Sequence, residues 1–115
     1  MTRAAIYARV STREQAEDGF SIEAQLRRLR AYCRSRGWTI AGEYVERGRS
    51  GRTDRRPEYA RMIAEADSWD VLAVLKIDRI HRNAYNFYRM CEILRDNGKS
   101  LAAIEDGYDS TTAWG

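Results

Sequence analysis

Short apolar runs of strand length alternate along this chain with longer runs of helical period, and that alternation restricts the fold more than any other feature. Residues 3–8 form an apolar run that ends at Arg9. Between 21 and 36, Ile22, Leu26, Leu29 and Cys33 recur at spacings of four, three and four, which is one face of a helix. Ser21 suits its N-cap and Gly37 its stop. Residues 38–45 read as a second strand, and 46–56, without an apolar residue, as a loop. Pro57 fits the first turn of a helix running through Tyr59, Met62, Ile63 and Ala66. Val71 to Leu75 is a continuous apolar run, as a buried parallel strand requires. Residues 83–97 carry Phe87, Cys91 and Leu94 on one helical face and stop at Asn97-Gly98. Leu101 to Ile104 closes the series as a fourth strand. The order β-α-β-α-β-α-β predicts a single α/β domain: an open, mostly parallel sheet of four to five strands with helices on both faces.

Composition agrees with one soluble domain. The 115 residues bury about two thirds of their unfolded surface, enough for one core. Hydrophobic residues at 43% are too many for a disordered chain. No apolar run approaches the roughly 20 residues that span a bilayer, and the N-terminal run is too short for a signal peptide. Cys33 and Cys91 stand far apart with no CxxC, which argues against a disulfide scaffold or a cysteine zinc site and fits a reducing, cytoplasmic setting. Of 20 basic residues two, Lys76 and Lys99, are lysine, so 18 are arginine. Arginine suits bidentate contact with phosphate. A GC-rich genome gives the same excess, so position must decide.

Ligands of open α/β sheets bind beyond the carboxyl ends of the strands. Those ends hold Arg9 and Ser11, then the loop with five arginines that includes Arg56, then Asp78, Arg79 and Arg82. Together they predict one basic edge. Ser11 with Glu14 fits a capping box, and Ser11 also fits a nucleophile. The lone histidine, His81, alternates with the arginines and reads as incidental, which disfavours a Ser-His-Asp triad. Asp78 fits a helix N-cap, an arginine-orienting carboxylate or a proton donor. Arginines around a serine stabilise a phosphoryl rather than an acyl transition state. No carboxylate cluster suggests two metals, and no phosphate-binding glycine motif is present. The residues thus point to a site for a phosphate ester without metal or cofactor, with serine as nucleophile and arginines as electrophile.

These residues resemble the catalytic domain of the serine recombinases, the resolvase/invertase family. Tyr7-Ala8-Arg9-Val10-Ser11-Thr12-Arg13-Glu14-Gln15 is similar to its nucleophile motif, Y-x-R-V-S-[ST]-x-x-Q. Ser21-Ile22-Glu23-Ala24-Gln25, Ser50-Gly51 with Arg56-Pro57, and Ile77-Asp78-Arg79-Ile80-His81-Arg82 match further segments in the family's order. The resemblance implies that Ser11 attacks a phosphodiester of double-stranded DNA, leaving a 5′-phosphoseryl bond and a free 3′-hydroxyl. It implies that Arg9, Arg79 and Arg82 hold the phosphate with help from Arg56, that Gln15 and Gln25 position the site, and that Asp78 is the acid or organising carboxylate. It also implies dimers and a synaptic tetramer, with no need for ATP or metal.

The six residues Ala16 to Ser21 and the loop from Gly48 to Gly51 favour the large, phage-integrase type. The family usually has Asp after the second strand, where Glu46 stands here. The resemblance implies a catalytic domain over 1–106 and a tail at 107–115 leading toward an oligomerisation helix and a DNA-binding region, so that these residues alone are expected to be inactive. Two other classes fit less well: an inert assembly or regulatory module of the same fold, and a flavodoxin-like domain for a small phosphate ligand. A receiver-like domain would need an acidic cluster where this chain has serine and arginine.

Overall fold

The computed structural model describes residues 2–11, 21–48, 56–76 and 84–110. Five strands form one sheet: β1 (Arg3–Ser11), β2 (Thr39–Gly48), β3 (Val71–Val74), β4 (Ser100–Ala103) and β5 (Tyr108–Asp109), in the order β2-β1-β3-β4-β5. The first four are mutually parallel, and β5 returns antiparallel to β4. Among the described residues three helices connect them: α1 (Ile22–Ser35), α2 (Pro57–Ala64) and α3 (Ala84–Asp96), with a 3₁₀ turn at Ala66–Ser68. The predicted α/β sheet is the observed one.

β1 lies inside the sheet, and Ala4 to Ala8 are all buried. Alternate residues go to opposite faces. Ala4, Ile6 and Ala8 pack with Ile22, Leu26, Leu29 and Cys33 of α1. Ala5 and Tyr7 pack with Met62 of α2, Met90 and Leu94 of α3, and Trp69. Each buried Leu of these cores contributes about 1.5–3 kcal/mol. α1 begins where expected: the Ser21 hydroxyl accepts from the Ala24 N–H at 3.1 Å. It ends at Gly37, whose φ of +74° a side chain would strain.

Two expectations are corrected. Of the loop expected at 46–56, Glu46, Arg47 and Gly48 instead continue β2. Their ladder is set by β1, which runs on to pair Arg9 with Glu46 and Ser11 with Gly48. The tail expected from 107 is partly sheet. A turn through Gly107 brings Tyr108 and Asp109 against Ala103 and Ala102. Buried Ser110 then closes the edge: its Oγ accepts from the Leu101 N–H at 2.8 Å, and its own N–H donates to the Leu101 carbonyl at 2.9 Å.

Candidate active site

The strand order changes direction at β1, so the β1–β3 junction is the switch point where such sheets take ligands. The carboxyl ends of β1 and β2 lie side by side there. Ser11 is the last residue of β1, two positions beyond Arg9. Gln25, in the first turn of α1, is buried and donates from Nε2 to the Arg9 carbonyl at 3.4 Å. Arg56 is the residue before α2 and reaches the same edge from the other face. Four predicted residues, Arg9, Ser11, Gln25 and Arg56, therefore gather at one edge. Gln15, Asp78, Arg79 and Arg82, with Glu14 and His81, lie outside the described residues.

A polar network that local sequence patterns do not signal holds Arg56. Its Nε and Nη2 donate to the Tyr7 hydroxyl at 3.3 and 3.0 Å. Its guanidinium lies 4.3 Å from the Tyr59 ring centroid and 5.4 Å from that of Tyr7, and those two rings meet edge to face. The Tyr7 hydroxyl donates in turn to Glu46 Oε1 at 3.3 Å. Burial, partly offset by Arg56, pushes the Tyr7 phenol up to about 12, so it stays protonated.

Glu46 is only 4% exposed and ends on the start of α2. Its Oε1 accepts from the Tyr59 N–H at 3.1 Å and its Oε2 from the Glu58 N–H at 3.3 Å. α2 has no side-chain cap of its own. A carboxylate from β2 supplies one, where the helix dipole favours negative charge. This is the role of the residue that stands where Asp was expected.

Ion pairing and burial together set these arginines apart, because the other described arginines without an ion pair, Arg27, Arg34, Arg89 and Arg95, are exposed. Arg3, Arg28, Arg30, Arg36 and Arg61 all pair with carboxylates. Arg9 and Arg56 are partly buried, and among the described residues neither has a carboxylate within 4.0 Å. Both lie close enough to the Tyr7 phenol to favour its ionised form. Two half-buried positive charges with no carboxylate partner among the described residues stand at a strand end, an arrangement that favours an anion there. Glu105 joins Arg28 of α1 to Lys76 after β3. Among the described residues, no three His, Cys, Asp or Glu side chains gather to hold a metal ion.

Comparison with known proteins assigns the chain to a family. The profile of the Resolvase, N terminal domain family matches residues 4–115. A protein called Resolvase from Escherichia coli is 43% identical over 100 residues, covering 86% of this chain and 42% of its own length. A probable DNA-invertase, y4cG, of Sinorhizobium fredii is 32% identical over 109 residues, covering 95% of this chain and 32% of its own length. The chain thus spans less than half of these two relatives. An uncharacterised immunity region protein of Bacillus phage phi105 is 47% identical over 58 residues, half of this chain and 71% of its own length. Among solved structures, the N-terminal catalytic domain of TP901-1 integrase superposes with a TM-score of 0.85 at 34% identity, covering 97% of this chain and 85% of that one. A resolvase-family site-specific recombinase from Streptococcus pneumoniae gives 0.81 at 33%, covering 96% and 77%. The likeness to an integrase catalytic domain agrees with the expected resemblance to the large type. With a family profile spanning nearly its whole length and a fold shared with these catalytic domains, the chain belongs to the resolvase family.

Proposed function

We propose that this chain is the catalytic domain of a serine site-specific DNA recombinase. The observation that carries the reading is the pair of half-buried arginines that have no carboxylate partner among the described residues, Arg9 and Arg56, beside a strand that ends in Ser11. In this reading the Ser11 hydroxyl gives up its proton as its oxygen attacks a phosphodiester of duplex DNA and forms a P–O bond to the 5′ side. The P–O3′ bond breaks, and the leaving oxygen takes a proton to become a 3′-hydroxyl. Arg9 and Arg56 balance the charge that builds on the phosphoryl oxygens, and Arg79 and Arg82 complete the cage. Gln25 fixes the backbone at Arg9, and Gln15 acts beside it. Asp78 is the proton donor or the carboxylate that orients an arginine. Exchange of a phosphodiester for a phosphoserine conserves bond energy, so the reaction runs without ATP or metal.

Assembly into a dimer and a synaptic tetramer belongs to the same proposal. The outer face of α3 supports it, because Tyr85 and Tyr88 are each 65% exposed there and Ile93 49%. The test is a covalent adduct. The chain, joined to a DNA-binding module of known target, is incubated in EDTA with a nicked suicide duplex carrying that target. An adduct that forms in EDTA and is lost in Ser11→Ala is expected. An adduct that needs a divalent metal, or that persists in Ser11→Ala, refutes the mechanism. DNA binding and assembly with no adduct at all would favour the inert-module reading.

A further inference from the structure

Arg56 faces a physical conflict. A guanidinium that must sit still at an active-site edge is most simply fixed by a carboxylate, as Arg30 is fixed by both oxygens of Glu43 at 2.6 and 2.7 Å. Such a pair also cancels the charge that a phosphate would use. The carboxylate nearest in this network, Glu46, does not pair with Arg56 directly; Tyr7 stands between them, donating to one and accepting from the other. Glu46 is occupied by two backbone N–H groups of α2 as well. Arg56 is the N-cap residue of that helix. The helix start that follows it is therefore held by Glu46, and its side chain by Tyr7. The Tyr7 ring is fully buried and cannot swing away.

We propose that Tyr7 is the positioning residue for Arg56: a buried phenol, anchored on the Glu46 carboxylate, that fixes the guanidinium while keeping it out of an ion pair. The proposal deepens the recombinase reading and rests on it for its kinetic arm. The phenol accepts two of the guanidinium's donors and returns no negative charge. Among the described residues nothing else accepts a hydrogen bond from Arg56, and the contact with Tyr7 leaves its charge uncancelled and its Nη1 donors unused. Tyr59 stacks on the guanidinium plane and limits its rotation. Tyr7 touches no reacting atom in this scheme.

The test is a double-mutant cycle with Tyr7→Phe, Arg56→Ala and the pair. Phe keeps the buried ring and removes the oxygen alone. Single-turnover cleavage at saturating DNA, well below the melting temperature, should slow on the order of ten- to a hundredfold in Tyr7→Phe, with DNA affinity little changed. In the Arg56→Ala background, Tyr7→Phe should add nothing. Effects that multiply, or a Tyr7→Phe rate equal to the unmodified chain, overturn the proposal. A second measurement does not depend on cleavage. The Arg56 Nε–H should give a slowly exchanging NMR signal in the unmodified chain that is lost in Tyr7→Phe. If it survives unchanged, Tyr7 does not hold Arg56. An unmodified chain that forms no adduct but shows and loses this signal as described would refute the recombinase reading and leave the positioning intact.

Discussion

Two carboxylates three residues apart on β2 should differ sharply in what they contribute, and Glu46→Ala against Glu43→Ala measures that difference. Glu43 meets Arg30 in a bidentate pair with side chains 30% and 42% exposed. Exposed pairs of this kind contribute about 0.2–1 kcal/mol. Glu46 is buried and receives three donors: the N–H groups of Glu58 and Tyr59 and the hydroxyl of Tyr7. Truncation leaves these without a partner, at about 1–3 kcal/mol for each that water cannot reach. The Glu58 N–H lies in the partly exposed first turn of α2, so water replaces part of that loss. Relief of the carboxylate's own desolvation offsets a further part. The net cost for Glu46→Ala comes to about 3 kcal/mol. For a chain of this length, 1 kcal/mol moves the melting temperature by about 4 °C. Thermal unfolding followed by circular dichroism should thus show a drop of roughly 12 °C for Glu46→Ala and less than about 4 °C for Glu43→Ala. Equal shifts in the two variants would refute the capping role assigned to Glu46.

Two further outcomes are expected. Asp70, Glu43 and Glu105 are held below their ordinary values of 3.8, 4.5 and 4.5, chiefly by hydrogen bonds from Arg3, Arg30 and Arg28. Their folded values are depressed, so the stability they supply is complete above those ordinary values and is lost as pH falls through the lower folded ones. Melting temperatures between pH 6 and pH 2 should therefore fall less in Asp70→Asn than in the unmodified chain, and parallel curves would refute the linkage. Burial pushes the Cys33 thiol up to about 11, so at pH 8 a disulfide reagent should modify it only after denaturation; labelling in the native state would contradict its place under α1.

Elements that bury a periodic face were legible in the sequence. α1 was readable because Ile22, Leu26, Leu29 and Cys33 all face β1, and Ser21 caps it by a local contact. β2 reaches further than its apolar residues, because the ladder with β1 carries Glu46 to Gly48 whatever their polarity. β5 has two residues and no pattern. It is fixed by pairing with β4 and by Asp109, which takes the Tyr32 hydroxyl at 2.9 Å and Arg36 at 3.2 Å. At the site, Arg9, Ser11 and Arg56 were legible as polar residues at strand and helix ends. The part played by Glu46 was not, because a cap supplied by another element leaves no trace in local spacing. Tyr7 was hidden differently. A tyrosine in an apolar strand reads as core, and it is core; only its oxygen, reached from α2 and β2, has a polar task.

The central claim, a 5′-phosphoseryl bond at residue 11, is tested most directly by mapping the adduct. Trypsin separates Ser11 from the other hydroxyl of β1, because Tyr7 falls in the peptide Ala4–Arg9 and Ser11 in Val10–Arg13. After nuclease trimming of the trapped DNA, mass spectrometry should find the nucleotide mass on Val10–Arg13, with fragmentation placing it on Ser11 rather than Thr12. The partner DNA end should carry a 3′-hydroxyl that a polymerase can extend. Nucleotide on Ala4–Arg9, or a cleaved end that cannot be extended, would contradict the account.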